Sequence, residues 1–388
     1  MLRGFKTMDE LDCKGKVVLL RLDLNSSVED GRVCDSPRFI AHAKTVRELV
    51  EKGGRVVVLA HQGRPGDDEF LSLEEHAVLL RKRCKGRVKF VPDVIGPEVA
   101  RRVKKMADGS VLLLDNVRFL SEESLEKSAE EHSKSFFVRR LAPLAQAFVN
   151  DAYSVSHRSH CSVTGFASVL PSFAGRVLEG EYVACERLRT EIQRPCYYVL
   201  GGVKPEDVLP LLEYGVGGGA DKVFVGGALA WVCEAAKGTA SESVLRKVAE
   251  KNWAKHVETL KKVLDQHPDK VVLPLDYAIE EGMLLDLGPE TAKEWASELK
   301  DAKTVLLKGV LGKVEYKKFA EGTRKVLRAA LNSDAFVVLS GGSYAVLAQG
   351  MNLKKKPGHE SLAGGAFIAQ LLGKKLPGVE ALAANATG

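Results

Sequence analysis

Short apolar runs alternate with longer stretches of helical periodicity along the whole chain. Residues 16–22 (KVVLLRL) form the first run, and 37–52 follows with apolar positions at helical spacing. The pattern continues as strand 55–60 and helix 72–83, strand 88–91 and helix 97–106, then strand 111–114. A long charged helix at about 125–141 and the strand 147–149 close this part. The strands are continuous apolar runs and do not alternate with polar residues. That fits strands covered on both faces, as in a parallel sheet with helices on either side. The pattern breaks at 164–176, which is rich in small residues. A helical stretch at 178–192 ends before Pro195, which has no N–H for a helix ladder. Strands then resume at 197–200, 222–225, 271–274, 304–307 and 335–339.

The expected fold class is α/β: two doubly wound, parallel-sheet (Rossmann-like) domains, residues 1–176 and 177–376, joined by a hinge helix near 178–192. Right-handed crossovers are expected in both. The length of 388 residues agrees with two domains at roughly 100–200 residues each. A net charge of +6 comes from Lys and Arg spread along the chain, apart from a short run at 354–356. No basic tract or aromatic-basic repeat points to nucleic acid, so a local site for a small anion is expected. The seven cysteines show no CxxC spacing, which points to a reducing, cytoplasmic setting. Residues 1–10 contain no apolar signal core, and no apolar run approaches 18 residues, so no membrane span is expected.

Ligands of open α/β sheets bind beyond the carboxyl ends of the strands. In the first half those ends read RLDLN (21–25), HQGRP (61–65), DNVRF (115–119) and NDAY (150–153), the last followed by SHRSH (156–160). Four strand ends thus deliver Arg, His or both, and Arg38 opens the first helix. One arginine after a strand is usually a surface residue or an ion-pair partner; Arg21 could pair with Asp23. His157 and His160 stand three apart, a spacing a metal could bridge, yet no third His lies near them and no metal site is assigned. Convergence changes the reading. Cations gathered on one sheet edge repel one another unless an anion sits among them, and guanidinium forks suit carboxylate and phosphate oxygens. The first half therefore reads as a site for a small, multiply charged acid.

Strand ends of the second half carry glycines: Gly201-Gly202 with Lys204, Gly226-Gly227, Gly309 with Gly312, and Gly341-Gly342-Ser343. A later loop adds Ser361 and Gly364-Gly365. Glycine lets backbone N–H groups approach an anion or a flat base, and a following helix N-terminus favours negative charge. The simpler reading is that such pairs only make tight turns. Their recurrence on one edge favours a nucleotide. The run 215–220 (GVGGGA) resembles a dinucleotide fingerprint, but it precedes a strand where the motif must follow one. Nor does 373–375 complete a Walker A loop.

The stretches RLDLN (21–25), AHQGRP (60–65), LLDNVRF (113–119), VNDAYSVSHRSH (149–160), RPCYYVLGGVK (194–204), GGALA (226–230), LPLD (273–276), DLGPET (286–291) and GKKLPGVEAL (373–382) resemble phosphoglycerate kinase, in that family's order and over nearly the whole chain. The wording of the first half is closer to archaeal members. The resemblance implies reversible phosphoryl transfer between ATP and 3-phosphoglycerate, giving ADP and 1,3-bisphosphoglycerate, with Mg²⁺ and in glycolysis or gluconeogenesis. It implies acid binding by Asp23, Asn25, Arg38, His61, Arg64, Arg118 and Arg158, with Arg21 and His157 added from the strand-end reading. Nucleotide contacts are carried onto Gly202, Lys204, Gly226, Gly227, Gly312 and Glu315, with Gly201, Gly341, Gly342 and Ser343 from the glycine turns. Arg38, Lys204, Gly341 and Gly342 would act on the transferring phosphoryl group. A monomer is expected, and a tail from about 377 to 388 is implied to pack back onto the first domain.

The nucleotide side departs from the family. Val208 replaces a second lysine, Ser343 an aspartate, Tyr344 a threonine, and Lys308-Gly309-Val310 the usual Asn-Gly-Pro turn. The glycine loop at 361–363 (SLA) also differs, in place of Thr and a further Gly. Lys308 either supplies a replacement cation or closes the site. Two further readings stay open: a binding or regulatory protein on this fold with a weakened nucleotide site, and a nicotinamide-dependent oxidoreductase using 215–220.

Overall fold

The computed structural model describes residues 4–351, 353 and 355–387; residues 1–3 of the N-terminal segment and Lys354 of the basic run lie outside them. Contacts divide the chain into two compact units, Met1–Cys185 with Gly365–Gly388, and Glu186–Gly364. The helix Arg176–Thr190 contains the division.

The first unit holds a six-stranded sheet in the order Val88–Val91, Val111–Leu114, Arg55–Leu59, Val17–Arg21, Ala147–Asn150, Ser172–Ala174, all parallel. The apolar runs are continuous because both faces are covered. Val18, Leu20, Val56 and Val58 enter one core. Val17, Leu19, Val57 and Leu59 enter the other. The first strand lies between the second and fifth, so chain direction across the sheet reverses there, at the carboxyl ends Arg21 and Asn150. The terminal helix Pro377–Thr387 belongs to this unit. The Asn385 side chain accepts from Ser172 N–H at 2.8 Å and donates to the carbonyls of Ala167 and Leu170.

In the second unit the order is Val271–Val272, Lys222–Val225, Cys196–Leu200, Thr304–Lys308, Phe336–Ser340, His359–Ser361, again parallel. This is the doubly wound order, with its switch point between the strands that end at Leu200 and Lys308.

The expected helix over 125–141 is a correction: two short helices, Ala129–Ser133 and Phe136–Leu141, stand there. Ser128 forms a capping box with Glu131, and Ser135, in extended backbone, accepts from Val138 N–H. A serine that satisfies the first free N–H groups starts a helix wherever it sits, so Ser135 divides an otherwise periodic pattern. The edge strands Ser172–Ala174 and His359–Ser361 and the hairpins Val28–Glu29/Arg32–Val33 and Tyr277–Glu280/Met283–Leu287 are too short to show a period. No helix among the described residues is long and apolar enough to cross a membrane.

Candidate functional site

At the switch point of the first unit, Arg21 ends its strand with an almost fully buried side chain. Its Nε donates to Ser162 Oγ at 2.7 Å, and Nη2 lies 3.7 Å from the buried Glu123 carboxylate. Ser162 completes the set by donating through both N–H and Oγ to Glu123. Arg21 is thus satisfied from beneath, and what it offers the surface is indirect: Nη2 stands 3.1 Å from His61 Nδ1. A guanidinium only donates, so Nδ1 accepts and the ring proton sits on Nε2. Burial, with the guanidinium charges of Arg21, Arg118 and Arg38, holds His61 well below the ordinary imidazole range. His61 is therefore a neutral imidazole of fixed tautomer.

Asp23 is held on several sides. It accepts from Asn25 N–H at 3.1 Å, from Ser154 Oγ and from Arg38 Nη1. Its own N–H donates to His42 Nε2, and His42 Nδ1 meets Asp151 Oδ2 at 2.8 Å. Asp151 also accepts from Val177 N–H, tying this edge to the start of the helix Arg176–Thr190. Asn25 Oδ1 accepts from Gly63 N–H at 2.8 Å. Gly63 has φ +62°, and a Cβ there would lie 2.4 Å from the Glu69 carbonyl oxygen, so only glycine makes this turn. Arg118 Nη1 donates to the Gly63 carbonyl. Burial first, then the charges of Arg21, Arg158 and Arg64, bring Arg118 down to about 10. His160 falls to about 3, mainly through burial and then Arg118 and Arg158. Burial also lowers His157, whose Nε2 accepts weakly from Arg158 Nε. The structure therefore brings Arg21, Asp23, Asn25, Arg38, His61, Arg118 and Arg158 onto one edge. Arg64 is exposed but close enough to act on Arg118.

Sequence reasoning missed Ser154, Ser162, Glu123, His42 and Asp151. Each supports a named residue and does not extend the chemistry. Glu123 sits in the acidic run 122–123, which reads as a solvated face and carries no sign of burial.

The glycine turns of the second unit behave differently from the expectation. Gly201 N–H donates to the Lys308 carbonyl, Gly202 N–H to Val310, Gly226 N–H to Leu200 and Gly227 N–H to Leu311. A Cβ on Gly201 would meet the Val310 oxygen at 2.5 Å. These glycines let adjacent loops touch, and their N–H groups are taken by backbone carbonyls. Gly312 packs on Asp286 and Phe319. The side chains of Lys204 and Glu315 are exposed and make no hydrogen bond or ion pair among the described residues. Gly341, with φ +107°, caps the helix Gly342–Gln349, and Ser343 lies exposed in its first turn. Among the described residues no three His, Cys, Asp or Glu gather as metal ligands.

A family model described as phosphoglycerate kinase matches residues 8–374. The chain belongs to the phosphoglycerate kinase family. It is 39% identical to the phosphoglycerate kinase of Methanosarcina mazei, over 98% of this chain and 96% of that one. Identity to the Saccharolobus solfataricus protein is 38%, over 97% and 96%. The crystal structure of phosphoglycerate kinase from Pyrococcus horikoshii OT3 superposes with a TM-score of 0.92 at 32% identity, covering 98% and 99%. That from Coxiella burnetii gives 0.79 at 26%, covering 98% and 100%. The archaeal likeness expected from the wording of the first half is present in these relatives.

Two family stretches in the second unit have a structural task. Asp276 of LPLD accepts from the N–H groups of Glu290 and Thr291 and from Thr291 Oγ1, capping the helix Pro289–Glu298. Asp286 of DLGPET accepts from Gly322 and Thr323 at the start of the helix Glu321–Asn332. The run 215–220 forms a wide turn that continues the helix Leu209–Tyr214 and leads into Lys222–Val225. That is the reverse of a dinucleotide-binding order.

Proposed function

We propose that the chain transfers a phosphoryl group reversibly and in line between ATP and the carboxylate of 3-phosphoglycerate. The observation that supports this most is the gathering of Arg38, Arg118, Arg158, Arg64 and His61 at one sheet edge. There, after burial, the charges of Arg21, Arg118 and Arg38 lower the proton affinity of His61, and those of Arg21, Arg158 and Arg64 lower that of Arg118. A multiply charged acid relieves that repulsion. Its carboxylate is ionised near neutral pH, so no general base is required, and the protein's contribution is positioning and charge stabilisation. Arg38, held by Asp23, neutralises the transferring group. His61 donates through Nε2, and Arg118, Arg158 and Arg64 bind the acid's phosphate and carboxylate oxygens. The nucleotide lies along the turns Gly201–Lys204, Gly226-Gly227 and Gly341–Ser343.

Mg²⁺ is usually bound by one or two carboxylates together with substrate phosphates. The loops of this edge offer two hard oxygen donors, the carboxylate of Asp207 and the hydroxyl of Ser343. When bound, the ion would neutralise charge on the phosphates. The acid edge and the nucleotide edge belong to different units, so we place a closure in the cycle, with the helix Arg176–Thr190 as hinge. A cytoplasmic setting fits the cysteines, all free among the described residues.

A coupled assay with ATP and 3-phosphoglycerate, run with and without Mg²⁺, tests the reading. Turnover should require all three, and Arg38→Ala should reduce it by about 10²–10³. No turnover from folded protein that still binds 3-phosphoglycerate would favour a binding protein on this fold, the reading supported by the occupied glycine N–H groups.

A further inference from the structure

Lys308 is a cation that the proposed mechanism leaves unused. It ends the strand on one side of the second unit's switch point, in register with Leu200 and Ser340. Its carbonyl is fixed by the Gly201 N–H at 2.8 Å. Its ammonium reaches across the edge: Nζ lies 3.6 Å from where a Cβ would sit on Gly341, and 3.6 Å from the same point on Gly364. Among the described residues the half-buried side chain makes no hydrogen bond and no ion pair. Burial lowers its pKa, and only Asp207, from the loop after Cys196–Leu200, acts in the other direction. Beside it in register, the Ser340 hydroxyl is buried and has no hydrogen-bond partner among the described residues.

These facts discriminate between the two roles open to this lysine. A residue that closed the site would bury its ammonium against carbonyls or a carboxylate. Lys308 leaves its ammonium without a hydrogen bond or ion pair among the described residues, opposed only at a distance by Asp207, and next to a second positive feature, the N-terminus of the helix Gly342–Gln349. An uncompensated cation out of water costs free energy, and two positive features in one place raise that cost. An anion bearing more than one charge between them reverses the sign. Glycine at 341 and 364 keeps the space beside Nζ clear of side chains.

We propose that Lys308 binds the terminal phosphates of the nucleoside di- or triphosphate, and so makes this edge select polyphosphates over monophosphates. The proposal rests on the nucleotide reading above. It gives Lys308 no contact with the base or ribose.

Calorimetry of ADP, AMP and 3-phosphoglycerate, with Mg²⁺ present, on wild type, Lys308→Met and Lys308→Arg tests it. The methionine variant should bind ADP about tenfold more weakly, about 1.4 kcal/mol, while AMP and 3-phosphoglycerate affinities stay unchanged. Arginine should restore most of the loss. Normal 3-phosphoglycerate binding reports that the chain is folded; if the methionine variant does not fold, Lys308→Gln serves in its place. ADP affinity in the charge-free variant within twofold of wild type, or equal losses for ADP and AMP, overturns the role of Lys308 alone. Wild type that binds 3-phosphoglycerate but no ADP overturns the nucleotide reading with it.

Discussion

Arg21 and Glu123 show how a buried ion pair can serve a surface site. Removing one member of such a pair strands the other charge in a dry interior, which costs about 3–5 kcal/mol. Glu123→Gln should therefore lower the denaturant midpoint strongly. It should also loosen Arg21 and let His61 exchange its ring proton between nitrogens. In wild type, ¹⁵N spectra should show His61 as the Nε2–H tautomer, still neutral under acid conditions that protonate a free imidazole. The other buried histidines set an acid limit. His76 is held near 4 and His160 near 3 by burial, against 6.5 for the free side chain. The unfolded chain binds these protons first as pH falls, so the stability present above about pH 6.5 is lost towards pH 4 and below. For His76 alone the loss is roughly 3 kcal/mol at most. Denaturant midpoints between pH 7.5 and 4.5 should fall in wild type and fall less steeply in His76→Gln. The charged residues of this site were legible in sequence because Arg and His at strand ends announce their chemistry. Ser154, Ser162 and Glu123 were not, because their residue types are common on surfaces and only the fold buries them.

Among the elements, capping decides more than periodicity. Ser135→Ala should cost about 1 kcal/mol by freeing the N–H of Val138, measured as a shift in unfolding midpoint. Asp276→Ala should cost a similar amount by uncapping Pro289–Glu298 without touching either ligand edge. The central strands were legible because two covered faces force a continuous apolar run, as Val17–Arg21 shows. The strand Ser172–Ala174 was not, because three residues cannot display a period and its neighbours are small. The glycine turns were legible as positions but not as donors. Glycine permits an N–H to meet a ligand or a neighbouring loop equally well, and here the loops Gly201-Gly202 and Gly309-Val310 meet each other.

In the whole molecule, the first unit is discontinuous in sequence, with the second inserted between Cys185 and Gly365. Its last piece is tied to the acid edge. Gly378 N–H donates to the Ser156 carbonyl at 2.9 Å, one residue before His157 and two before Arg158. The same helix buries Leu382 and holds the edge strand through Asn385. Truncation after Leu376 should therefore free the 156–158 turn and uncover apolar surface on the first unit, while the second unit keeps its own core around Val199, Leu307 and Trp295. A ligand present at 100 times its Kd adds about 2.7 kcal/mol to the fold that binds it. Melting scans with each ligand can then assign the damage. In the truncated chain the stabilisation by 3-phosphoglycerate should shrink or vanish, and the stabilisation by ADP should stay near its wild-type size. Equal loss of both would mean that the terminal helix supports the chain as a whole. Selective loss on the acid side would show that the helix Pro377–Thr387 completes the first site read from the sequence.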